Sequence, residues 1–137
     1  MTDVTRHQGS CLCGAVRFEI EGPFDQFALC HCSRCRKGTG SVHGANLFAT
    51  KAQLNWTSGA DAVRSFALAG TRHARSFCSR CGSAMPSTQM EGKLLVVPAG
   101  SLDTDLESLP TAHILCDDRA NWEDVVAGAP RFPGFPG

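Results

Sequence analysis

No run of apolar residues in this 137-residue chain approaches the roughly 20 that a membrane-spanning helix needs. No excess of one charge is present either. The 13 basic residues are balanced by 13 acidic ones, so no global field draws the chain toward nucleic acid or a membrane surface. Residues 1–7 lack the apolar stretch of a secretory signal, and a cytoplasmic location is expected. Aromatic residues are few, and no stretch sustains a 3.6-residue period. With 14 Gly and 7 Pro, this argues for a mainly β chain of short strands and many turns, with little helix. The length fits one domain over residues 1–137, with its core over about 9–126. The Pro/Gly-rich tail over 127–137 cannot be regular.

Cysteine, by contrast, is plentiful, with eight residues. In a reducing compartment, clustered cysteines read as metal ligands rather than as a disulfide framework. The densest cluster is Cys30-His31-Cys32-Ser33-Arg34-Cys35, a C-x-C-x-x-C pattern that can aim three sulfurs at one point. A loop this tight is poor geometry for disulfides, whose Cα atoms sit about 4.4–6.8 Å apart. It suits a soft cation such as zinc, which prefers four ligands in a tetrahedron. Cys11 and Cys13 form a second group, followed by Gly14. Cys78 and Cys81 form a third, followed by Gly82, in the manner of a zinc knuckle.

Keeping each local group whole, the two pairs sum to a complete four-cysteine structural site. The triplet makes a second site with an open corner. Two Zn²⁺ ions are expected, one structural and one accessible. An open three-thiolate zinc can hold an incoming thiol deprotonated near neutral pH, which points to a thiol-bearing substrate. Arg34, Arg36 and Lys37 beside the triplet are candidates for holding that substrate's carboxylate. The competing expectation for these three is a solvated turn.

Along the chain, residues 1–8 are polar and expected to fray. Val16, Phe18 and Ile20 alternate with Arg17, Glu19 and Glu21, as in a half-buried strand. Further strands are expected around 45–49, 54–56, 62–67, 94–97 and 112–116, with a helical turn over 120–126. Cys116 is read as a buried, inert thiol. His31, between two ligands, is read as pointing away from the metal toward a supporting or surface position. His43, His73 and His113 have no metal-like spacing, although His113 opens the strand that ends at Cys116.

The order C-x-C-G, C-x-C-x-x-C-R and F-C-x-x-C-G, followed by a late His, an acidic residue and Trp122, resembles the glutathione-dependent formaldehyde-activating family, also called the centromere protein V domain. The resemblance spans about residues 9–123. It implies an Mss4-like fold, a set of antiparallel sheets clamped by zinc. It also implies that Cys11, Cys13, Cys78 and Cys81 hold the structural zinc, and that Cys30, Cys32 and Cys35 hold the catalytic one. The implied reaction adds a small thiol such as glutathione to a small aldehyde such as formaldehyde. The product is S-hydroxymethylglutathione, and the reverse reaction is that of a carbon–sulfur lyase. Two other readings differ in class. One is a non-catalytic two-zinc module that binds a protein or peptide partner, suggested by fold analogy. The other is nucleic-acid binding, which the neutral net charge makes unlikely.

Overall fold

The computed structural model describes residues 5–107 and 110–136. Eleven short strands form three sheets among these residues. The first sheet contains β1 (Arg6–Ser10), β2 (Arg17–Glu21) and β5 (Gln53–Ser58), in the order β1-β2-β5. The second contains β3 (Gln26–Cys30), β4 (Gly44–Ala49), β9 (Ser87–Gln89), β10 (Leu94–Pro98) and β11 (Ala112–Ile114), in the order β11-β3-β4-β10-β9. The third contains β6 (Val63–Ala67), β7 (Ala74–Cys78) and β8 (Ala84–Met85). All pairings are antiparallel except β11 with β3, which run parallel with Ile114 opposite Cys30. No helix among the described residues is long and apolar enough to cross a membrane.

The pleat explains the core. In β2, Phe18 and Ile20 are buried while Arg17 faces out, and Val16 just before the strand is fully buried. In β10, Leu95 and Val97 point inward and Leu94 and Val96 are half-buried. Val97 lies opposite Leu47 of β4, and both are completely enclosed. Trp56 of β5 packs edge-on against Phe18, with ring centroids 5.9 Å apart. Each such enclosed side chain contributes about 1.5–3 kcal/mol relative to exposure.

Three expectations are corrected. Residues 1–4 lie outside the described residues, but residues 6–8, read as frayed, form β1 against β2. There His7 is buried and its Nδ1 pairs with Thr104 Oγ1 at 3.1 Å, which holds the edge down. Cys116, read as buried, is exposed. Parallel pairing stops at Ile114, and Leu115 turns the chain outward at a φ of 56°.

The third correction concerns the segment after Cys32, which is a helix, α1 (Ser33–Thr39), rather than a loop. Cys32 caps its N-terminus, with Sγ accepting from the Cys35 N–H. Gly40 closes it with φ at 64°, its N–H donating to the Arg36 carbonyl. Arg36 and Lys37 in the last turn complement the dipole. Seven residues are too few for a hydrophobic period to declare itself, which is why the pattern hides in the sequence.

Candidate metal centres

Two clusters of sulfur form at separate places. Cys11 and Cys13 sit in the turn between β1 and β2, while Cys78 ends β7 and Cys81 follows in the next turn. Gly14 and Gly82 close these turns at φ values of 80° and 79°, a conformation cheap only for glycine. Their N–H groups donate to the Cys11 and Cys78 carbonyls at 3.1 and 2.8 Å. The four Sγ atoms lie within 4.8 Å of one another. None is in a disulfide. Backbone amides approach the sulfurs, with Val16 N–H donating to Cys11 Sγ at 3.2 Å and Arg80 N–H to Cys78 Sγ at 3.4 Å.

The charges of this group conflict. The Ser83 hydroxyl and the backbone amides of Cys13 and Ser83 draw the Cys81 thiol down to about 5. At Cys13 the Ala15 amide favours the thiolate, but neighbouring Cys11, with Cys81 and Cys78, pushes the thiol up to about 11. Four thiolates cannot crowd together unaided. A soft cation at their centre removes the conflict, and the donor set fits one that takes sulfur in a tetrahedron.

The second cluster is built from β3 and α1. Cys30 ends the strand, Cys32 caps the helix and Cys35 lies one turn in, so a strand-to-helix corner aims all three inward. Their sulfurs also lie within 4.8 Å of one another. Cys30 and Cys32 approach to 3.5 Å, and the Cys35 N–H donates to Cys32 Sγ at 3.4 Å. Burial raises Cys30, and burial with Cys30 beside it raises Cys35 strongly. Against the cost of burial, the Cys35 amide and the neighbouring thiols hold Cys32 below an ordinary thiol. Gly44 of β4 faces Cys30 across the ladder and leaves the necessary room. A Cβ there would lie 3.3 Å from Cys35 Cβ and 3.5 Å from its sulfur.

The surroundings of the two clusters differ. A cavity of about 340 Å³ opens beside the trio, and Cys30, Cys32 and Cys35 are in its wall. Phe48, Met85, Val96 and Ile114 supply apolar lining. None of the four cysteines of the other cluster borders it.

The cationic candidates separate. Arg34 is at the cavity. Arg36 instead turns its Nη2 to the Asp118 carbonyl at 3.1 Å, and Lys37 is exposed outside the lining. Arg72 and Arg75, which sequence reasoning passed over, are at the cavity. Nothing local marks them, because they arrive on the β6–β7 hairpin.

Three histidines, His31, His43 and His113, cluster together, and His31 lies between two of the trio's cysteines. His31 is buried, not at the surface. Its Nδ1 pairs with Glu123 Oε1, and its Nε2 with His113 Nδ1 at 2.8 Å. His43 stacks edge-on against His31 with centroids 5.0 Å apart. The place of His113 in the expected strand before Cys116 was the one available hint in the sequence.

A model of the family described as glutathione-dependent formaldehyde-activating enzyme matches residues 6–118. The chain belongs to that family. A Halomonas elongata protein, assigned by inference as a glutathione-dependent formaldehyde-activating enzyme, is 32% identical over 141 residues. That alignment takes in 94% of this chain and 88% of the relative. A crystal structure of a Rhodobacter sphaeroides protein superposes with a TM-score of 0.57 at 21% identity, covering 77% of this chain and 98% of that one. This likeness establishes the fold. The family assignment and the antiparallel sheets agree with the mainly β fold that the resemblance implied, and each of the two sulfur clusters could hold a metal ion.

Proposed function

We propose that this family member adds a small thiol, glutathione or a close relative, to a small aldehyde such as formaldehyde. Sulfur bonds to the carbonyl carbon and the thiol proton passes to the oxygen. The reverse reaction breaks the same carbon–sulfur bond, as in a carbon–sulfur lyase. The observation that carries this reading is the asymmetry of the clusters: three sulfurs stand in the wall of a cavity, and four stand away from it. The family match supports the same chemistry.

In this reading Cys11, Cys13, Cys78 and Cys81 hold a structural zinc, and Cys30, Cys32 and Cys35 hold a second. Zinc at the trio supplies a soft Lewis acid that favours the thiolate of an incoming thiol at neutral pH. The chain's own residues do the rest. Cys30, Cys32 and Cys35 fix where the reacting sulfur sits, and the strand-to-helix corner keeps that point constant. Phe48, Val96 and Ile114 keep water from the carbonyl, and holding both partners in one cavity replaces a bimolecular encounter. All eight cysteines are free, which suits a reducing, cytoplasmic setting.

The test is magnetisation-exchange NMR of glutathione with formaldehyde, with and without the zinc-loaded protein. Faster exchange into S-hydroxymethylglutathione is expected, and its loss in Cys30→Ala. A rate equal to the uncatalysed one would overturn the proposal. A second reading, a two-zinc module for a protein or peptide partner, draws on exposed Trp122, Val125, Phe132 and Phe135 near the C-terminus. Normal exchange rates after truncation of residues 129–137 would separate the two.

A further inference from the structure

Arg75 is held where a guanidinium has nothing of its own to bind. It lies on β7, the strand that ends in Cys78, so the four-cysteine cluster anchors its backbone. Its side chain runs along α1 at Gly38, where a Cβ would lie 3.6 Å from Arg75 Cδ and 3.8 Å from Nη1. Glycine inside a helix costs about 1 kcal/mol relative to alanine. Here it admits the arginine. Arg75 Cζ also stands 5.7 Å from the Phe77 ring centroid, within reach of a cation–π contact. The side chain is thus fixed by packing while its donors stay free. Among the described residues no ion pair or hydrogen bond engages the guanidinium of Arg34, Arg72 or Arg75.

All three line the trio's cavity, and no acidic side chain does so among the described residues. His73, between Arg72 and Ala74, reports the resulting field. Burial, then the charges of Arg34 and Arg75, lower its pKa, so the neutral imidazole is favoured beside the arginines. Three guanidiniums without a carboxylate, over an apolar floor, form an unsatisfied anion site. Arginine's planar fork matches a carboxylate.

We propose that Arg75, with Arg34 and Arg72, recognises an anionic group on the thiol substrate, and that this rim makes the cavity selective for carboxylate-bearing thiols over neutral or cationic ones. The inference rests on the trio being a thiol-binding centre, as proposed above, and names the residues that choose among thiols. Arg75 is the specificity-determining member, since packing pre-organises it. Arg34 and Arg72 are exposed and adaptable.

Calorimetry on the zinc-loaded full chain tests it with 3-mercaptopropionate, 2-mercaptoethanol and cysteamine, and with S-methylglutathione, which has carboxylates but no thiol. 3-Mercaptopropionate is expected to bind at least about tenfold more tightly than 2-mercaptoethanol, as one charge-assisted contact allows. In Arg75→Gln that preference should fall to within about twofold while 2-mercaptoethanol affinity stays unchanged. Arg75→Lys should keep part of it. S-methylglutathione should bind the native protein and weaken at least about fivefold in Arg75→Gln.

Equal affinity for the three small thiols, or an equal loss for all of them in Arg75→Gln, would overturn the rim. Binding of S-methylglutathione that Arg75→Gln weakens, with no binding of any thiol, would uphold the anion site and overturn the thiol reading. Retention of the native melting temperature in Arg75→Gln separates loss of recognition from loss of fold.

Discussion

His31 and Glu123 stand 92 residues apart in the chain and are hydrogen-bonded in the fold. The bond fastens the C-terminal turn to the residue between two trio cysteines. With Nδ1–H donated to the Glu123 carboxylate, Nε2 is left to accept from His113, so one ring joins β11, the turn after Trp122 and the corner that carries the three cysteines.

Removing the acid should be costly because His31 is only 2% exposed and its ring would lose a charge-assisted partner. Glu123→Ala should destabilise the metal-loaded protein by about 1–3 kcal/mol, the usual penalty for a buried donor left unpaired. Glu123→Gln, whose amide oxygen still accepts, should lose less. Urea unfolding of the three proteins checks this. Equal stabilities would mean that the bond holds nothing.

The two clusters should divide their labour. Structural zinc sites carry about 10–16 kcal/mol of apparent binding energy coupled to folding. Cys11→Ala should therefore abolish cooperative thermal unfolding, since that cluster joins the β1–β2 turn to the end of β7. Cys30→Ala should retain a cooperative transition and one equivalent of metal. Circular dichroism melts paired with metal analysis decide it. A similar fall in melting temperature for both variants would refute the division.

Acid should empty the clusters in order. Cysteine ligands must be deprotonated, so affinity falls with pH. Cys30 and Cys35 in the trio are raised, so their thiolates are lost early as pH drops. In the four-cysteine cluster Cys81 is drawn down to about 5 while Cys13 is pushed up to about 11, but that cluster offers four sulfurs to an ion where the trio offers three, so it should keep its ion longer. Titration from pH 8 downward with a colorimetric metal indicator should show two steps, the first absent in Cys30→Ala. A single step releasing both equivalents would contradict this.

Gly59 should tolerate no side chain. Its φ is 72°, and a Cβ would fall 2.1 Å from the Ala15 carbonyl oxygen, against the turn that carries Cys11 and Cys13. Backbone strain and overpacking each cost about 1–3 kcal/mol. Gly59→Ala should then lose at least about 2 kcal/mol by urea unfolding. Gly70→Ala, where nothing lies within 4 Å, should lose less.

Much of this molecule was legible in its residues. Cysteine spacing is a local property: a pair or triplet within six residues meets at one point almost regardless of what surrounds it. Alternation in Val16–Glu21 likewise fixes which face of β2 is buried, because the strand's period is two. Helix α1 escaped because its cap is a thiol and its span is two turns. Cys116 misled because an apolar run before it suggests burial, whereas the chain turns away at Leu115.

From sequence alone came the sulfur groups, the β character and the family pattern, since each is written in neighbours along the chain. Only the folded protein decided that Arg75 rather than Lys37 shares the trio's cavity, and that His31 rests on Glu123. Those contacts join segments tens of residues apart, and sheet pairing rather than spacing brings them together.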